Sequence, residues 1–85
     1  MKVFRTKNFR NGYRKLPQYI QEITDKKLEF LLKDFHYPSL RTKKVKGHTN
    51  IWEASITMDY RFTFKIEGDV LILRKIGTHN ILEKP

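Results

Sequence analysis

Eighty-five residues without a cysteine allow one domain with one small core, held by packing rather than by disulfides or thiolate metal sites. Eighteen Lys and Arg against nine Asp and Glu give a net charge of +9 and a pI near 10.0, which favours polyanionic partners, nucleic acid before anionic membrane. No stretch reaches the roughly 20 apolar residues of a membrane span, and the start lacks the apolar core of a signal peptide, so a cytoplasmic protein is expected.

Along the chain, Val3 and Phe4 alternate with basic residues between Met1 and Thr6, the pattern of a short first strand. Asn8 is placed to cap a first helix in which Phe9, Tyr13 and Leu16 share a face. Gly12 weakens that helix by roughly 1 kcal/mol, so tertiary contacts must support it. Pro17 ends it and suits the first turn of a second helix, expected from Pro17 to Phe35. Ile20, Ile23, Leu28, Leu31, Leu32 and Phe35 form the apolar stripe of this second helix.

His36 to Asn50 reads as a long connection, marked by Pro38 and Gly47 and loaded with Arg41, Lys43, Lys44 and Lys46. Three strands follow. Trp52, Ala54 and Ile56 share one face of the first, leaving Glu53 and Ser55 on the other. In the second, Tyr60, Phe62, Phe64 and Ile66 alternate with Arg61, Thr63 and Lys65. Glu67, Gly68 and Asp69 make a tight hairpin turn, and Val70 to Ile76 is apolar on both faces, as a central strand should be. The order is β-α-α-β-β-β, an α+β domain in which a helical hairpin covers one face of a mostly antiparallel sheet.

Charge is uneven along this order. Residues 1–50 hold 13 basic and 4 acidic side chains, while residues 51–85 hold 5 of each. Arg41, Lys43, Lys44 and Lys46, with no carboxylate among them, suit RNA backbone contacts as a group.

Three segments carry a resemblance. LRTKKVKG (Leu40–Gly47), DYR (Asp59–Arg61) followed by FTF, and RKIGTHNIL (Arg74–Leu82) resemble, in this order and spacing, the motifs of the RelE/ParE superfamily of bacterial toxins. The last segment resembles the ending of the YafQ-like branch. The resemblance covers nearly the whole chain and implies the toxin of a type II toxin–antitoxin pair, neutralised by a cognate antitoxin. RelE- and YafQ-like toxins cut mRNA in the ribosomal A site, whereas ParE-like toxins inhibit DNA gyrase and cut nothing. A degenerate toxin that only binds its antitoxin is a third outcome. The net charge suits an acidic antitoxin segment that folds over the RNA site.

Metal-free cleavage of RNA needs a base for the ribose 2′-hydroxyl, cations for the phosphate and an acid for the leaving 5′-oxygen. No metal or other cofactor is expected. Histidine suits acid or base duty because its unperturbed pKa lies near 6.5, and the match of His79 to the catalytic histidine of YafQ-like toxins implies the acid. Arg61 matches the RelE-like arginine that contacts the scissile phosphate; otherwise it is a cross-strand partner of Glu53 on an exposed face. Asp59 is a further candidate base or a partner for His79, and equally a turn residue. The second strand departs from the family pattern: Glu53 stands near the RelE-like lysines or the YafQ-like histidine and is a candidate base. Lys65, beside Arg61 on the polar face, joins the expected RNA-binding cations.

Overall fold

The computed structural model describes all 85 residues. Strand β1 is Lys2–Arg5, helix α1 is Lys7–Arg14 and helix α2 is Gln18–Lys33. A single 3₁₀ turn over Pro38–Leu40 leads to a two-residue strand, β2, at Lys43–Lys44. Strands β3 (Trp52–Ser55), β4 (Arg61–Glu67) and β5 (Val70–Gly77) follow, and a second 3₁₀ turn spans His79–Glu83. The expected order therefore holds, with one addition. The basic connection is not structureless, because its lysines pair with Trp52 and Glu53 and extend the sheet by one short edge strand.

The sheet runs β1-β5-β4-β3-β2, antiparallel everywhere except where β1 lies parallel to β5. The connection from β1 to its parallel neighbour β5 runs through both helices, which carry the chain to the far edge of the sheet, and then back through β2, β3 and β4. Between β4 and β5 a two-residue turn holds Gly68 at φ +58°, a conformation that a side chain would strain. Farther along this ladder the register slips: Phe64 faces Leu73, but Thr63 faces Lys75. Arg74 is the extra residue of a bulge. The strand carries apolar residues on both faces, with Val70 and Ile72 half-buried opposite the core, but the slip interrupts its alternation. It changes the phase of the strand, so that Leu71, Leu73 and Ile76 all turn into the core.

Thr6 locks this irregularity. Its hydroxyl lies 2.8 Å from the Leu73 carbonyl and 3.0 Å from that of Arg74, and accepts from the Phe9 N–H at 3.2 Å. Thr6, and not Asn8, is thus the N-cap of α1. A residue at the end of a strand can cap the following helix only if the chain turns at once, and the bulge carbonyls hold it there.

The core lies between the helices and one sheet face. Phe9 meets Phe62 edge-on at 6.5 Å, and Phe35 meets Trp52 and Phe64 edge-on at 4.9 and 5.7 Å. Helix α2 buries Ile20, Thr24, Leu28 and Leu31. Leu32, expected in that stripe, is exposed, and Phe35 packs from beyond the helix end. Thr24 fits because its hydroxyl donates to the Ile20 carbonyl at 2.8 Å. The other sheet face is also partly closed. The buried Thr63 hydroxyl and the Arg74 guanidinium both donate to the Pro85 carbonyl at 3.1 Å, so the chain after β5 folds back across this face.

Gly12 owes its place to this packing. A Cβ there would stand 2.7 Å from the Ile76 carbonyl oxygen and 2.9 Å from its Cγ2. Helix propensity alone predicts that Gly12→Ala stabilises the protein by roughly 1 kcal/mol. The contact reverses the sign: Gly12→Ala is expected to lower stability by about 1–3 kcal/mol, read from urea unfolding.

Candidate functional site

Several segments meet at one edge of the sheet. Helix α2 supplies Lys27, the first 3₁₀ turn and the residue after it supply Ser39 and Arg41, and the turn from β3 to β4 supplies Ser55, Thr57 and Met58. Arg61 opens β4, and His79 follows β5. Together they line an open cleft of about 460 Å³. No carboxylate is among the lining residues, so the cleft is cationic.

Arg61 and His79 are brought together although 18 positions separate them. Arg61 pairs with Gly77 across the β4–β5 ladder, which places His79 just beyond the Arg61 side chain. The Arg61 Nε lies 3.2 Å from His79 Nε2, and the same Nε2 lies 3.4 Å from the Met58 carbonyl. One ring nitrogen cannot serve both neighbours in the same state. Unprotonated, Nε2 accepts from Arg61; protonated, it donates to Met58. The exposed imidazole is therefore held in place in either state, as a proton-transfer group requires.

Glu53 differs from its expected place. It is only 5% exposed, and its Oε1 stands 3.9 Å from Arg61 Nε, too far for a hydrogen bond but close for an ion pair. The exposed cross-strand pair expected from alternation is a sheltered one, because the chain after β5 covers this face. Glu53 anchors the base of the Arg61 side chain and leaves the terminal Nη groups free of hydrogen bonds within the chain. It does not line the cleft, and neither does Asp59. Asp59 is exposed in the β3–β4 turn, where its backbone N–H donates to Thr57 Oγ1 at 3.2 Å.

Among the expected RNA-binding cations, only Arg41 reaches the cleft. Its backbone sits in the left-handed region at φ +49°, an arrangement that costs about 1–2 kcal/mol for a residue with a side chain. Lys43 and Lys44 lie on the β2 edge, Lys44 stacking its ammonium over Trp52 at 5.4 Å. Lys46 is exposed beyond them, and Lys65 is paired with Glu67 at 2.8 Å. Lys27 was not anticipated from the sequence. Its signal was its phase: it falls three residues after Thr24 and four before Leu31, on the buried side of α2. Its Nζ donates to the Ser39 carbonyl at 3.0 Å. Partial burial, then the nearby Arg41 charge, hold its ammonium below the usual lysine range.

A second hollow, of about 400 Å³, opens between α1 and α2 and is lined by Arg5, Arg10, Arg14, Tyr13 and Asp25. The Tyr13 hydroxyl donates to Asp25 at 2.8 Å, and burial followed by that carboxylate holds the phenol above its usual range. It contains no histidine, and its one pair of titratable groups, Tyr13 and Asp25, is closed on itself by that hydrogen bond. The cleft is the better candidate for chemistry.

No protein-family profile matches the chain, and no curated protein does. Solved structures do. A YoeB/ParE toxin from Agrobacterium tumefaciens is 18% identical, covering 93% of this chain and 99% of that one, with a TM-score of 0.81. A chain of the RelB–RelE antitoxin–toxin complex from Methanococcus jannaschii is 21% identical over 95% of both chains, with a TM-score of 0.77. The chain has the RelE/ParE toxin fold. YafQ from E. coli superposes with a TM-score of 0.72 at 15% identity, over 95% of this chain and 96% of that one. The fold spans these toxins from end to end, and at such identities it is the architecture they share with this chain.

If the cleft is where a polyanion binds, its cations and the outlying ones separate cleanly. Arg41→Gly relieves the left-handed backbone, so stability is expected to hold or rise. Affinity for an uncleavable oligoribonucleotide should fall, and the slope of log affinity against log salt should drop by about one. Lys65→Ala should leave both unchanged. Fluorescence anisotropy over a salt series makes the measurement.

Proposed function

We propose that this chain is the toxin of a type II toxin–antitoxin pair and cuts mRNA on the ribosome without a metal. The observation that carries the reading is the Arg61–His79 contact at 3.2 Å inside a cleft without carboxylates. A surface built only to hold a protein has no use for an imidazole kept between a guanidinium and a carbonyl.

The chemistry follows from the groups present. The free fork of Arg61 is suited to two oxygens of the scissile phosphate and stays charged throughout. Arg41 adds charge from the opposite segment of the chain. His79, protonated on Nε2, gives its proton to the leaving 5′-oxygen. The products are a 2′,3′-cyclic phosphate and a 5′-hydroxyl. Ribosome dependence is consistent with a shallow, open cleft that lacks walls to grip a free message. The fold neighbours solved with RelB and DinJ antitoxins support a partner of the same kind here. An acidic segment laid over the cationic cleft would block it.

The test is primer-extension mapping of a translated message. Wild-type protein should cut at discrete sites, and His79→Ala should slow cleavage by about 10²–10⁴-fold while folding normally, since the side chain is exposed. Arg61→Lys keeps a charge beside buried Glu53 but loses the fork, and should slow cleavage by about 10²-fold or more. Wild-type protein that leaves messages intact but arrests gyrase would overturn the proposal in favour of a ParE-like inhibitor.

A further inference from the structure

Attack by a 2′-hydroxyl on its own phosphate releases one proton, while the leaving oxygen takes one up. His79 serves only one of these oxygens in a single passage, and a guanidinium is no proton acceptor. Two candidate carboxylates stand outside the cleft lining: Glu53 is buried beside Arg61, and Asp59 is exposed in its turn. Ser39, Ser55 and Thr57 offer hydroxyls, whose protons are too tightly held for base duty.

Lys27 remains. It lines the same cleft as Arg61 and His79, and the Ser39 carbonyl fixes its Nζ at 3.0 Å. Its helical neighbours at three and four residues, Ile23, Thr24, Phe30 and Leu31, carry no charge. The charged groups sharing the cleft with it are Arg41, Arg61 and His79, all cations or potential cations. A lysine in such company, unlike the solvated lysines of β2, has no carboxylate to hold its proton.

We propose that Lys27 is a catalytic residue of this site, taking the proton from the attacking 2′-hydroxyl. The proposal rests on the ribonuclease reading. The neutral amine accepts the 2′-hydroxyl proton as the bond from that oxygen to phosphorus forms. The bond from phosphorus to the 5′-oxygen breaks with its electron pair, and the 5′-oxygen receives the His79 proton. Lys27 ends protonated and His79 neutral, and exchange with water restores both.

Arginine at this position separates base from anchor, because it keeps the charge but cannot give up a proton. Lys27→Arg and Lys27→Ala should both slow cleavage on translating ribosomes by about 10²–10⁴-fold, while Lys27→Arg binds an uncleavable RNA as tightly as the wild type. In the RNA-free protein, the Lys27 Nζ should titrate by NMR below the other lysines, and shift upward in Arg41→Gly. Lys27→Arg that cuts within a few-fold of wild type would make Lys27 a phosphate anchor and overturn the proposal, as would a Lys27 titration coincident with the other lysines. Full loss in Glu53→Gln together with an active Lys27→Arg would give the role to Glu53 instead. Wild-type protein that cuts no message sinks both readings; wild-type cleavage beside an active Lys27→Arg sinks this one alone.

Discussion

One extra residue in β5 decides how the far end of this chain is presented. The bulge at Arg74 turns Ile76 into the core and sets Gly77 opposite Arg61. His79 then emerges beside the Arg61 guanidinium. Without the slip, Lys75 would take the inward position that Ile76 fills, and a charge would be buried in an apolar layer. The Thr6 hydroxyl engages the bulge carbonyls while capping α1, so the first strand, first helix and last strand are fixed by one side chain. The close approach of Gly12 to Ile76 belongs to the same junction.

That junction explains how a core of modest size carries an open, charged cleft. The apolar groups are spent on the helix–sheet layer, where Phe9, Phe62, Phe64 and Leu73 are almost fully enclosed. The cleft is built instead from element ends: a strand start, a turn, a 3₁₀ segment and one helix position. Such places carry unpaired polar groups and tolerate strain, which Arg41 shows by its left-handed backbone. The sheltered Glu53 gives Arg61 a charged footing within the sheet, so the flexible end of the guanidinium is the part left for a ligand.

Much of this was legible in the residues. The helix of periodic Ile20, Leu28 and Leu31, the alternation through Phe62 and Phe64, and the turn at Gly68 each follow from local rules that the fold obeys. Arg61 and His79 were each singled out by resemblance, but their contact was not foreseen, since nothing local joins positions 61 and 79. Features set by long-range contacts were hidden. The bulge is invisible to a period-two reading, which needs to know where the neighbouring strand lies. Glu53 looked exposed because the chain that covers its face comes from the far end of the sequence. The lysines of 43–46 formed a dense run, yet a run in sequence spreads along a sheet edge, and only Arg41 turns to the cleft. Lys27 stood in the buried phase of α2, a signal easily lost beside Lys26.

The proposed ribonuclease function requires that the cleft, rather than the lysine-rich edge, meets RNA. Titrating isotope-labelled protein with a 2′-O-methylated oligoribonucleotide and following side-chain resonances by NMR tests this directly. Lys27, Arg41, Arg61 and His79 are expected to shift together, saturating at one RNA concentration. Shifts confined to Lys43, Lys44, Lys46 and Lys65, with the cleft resonances unmoved, would contradict it.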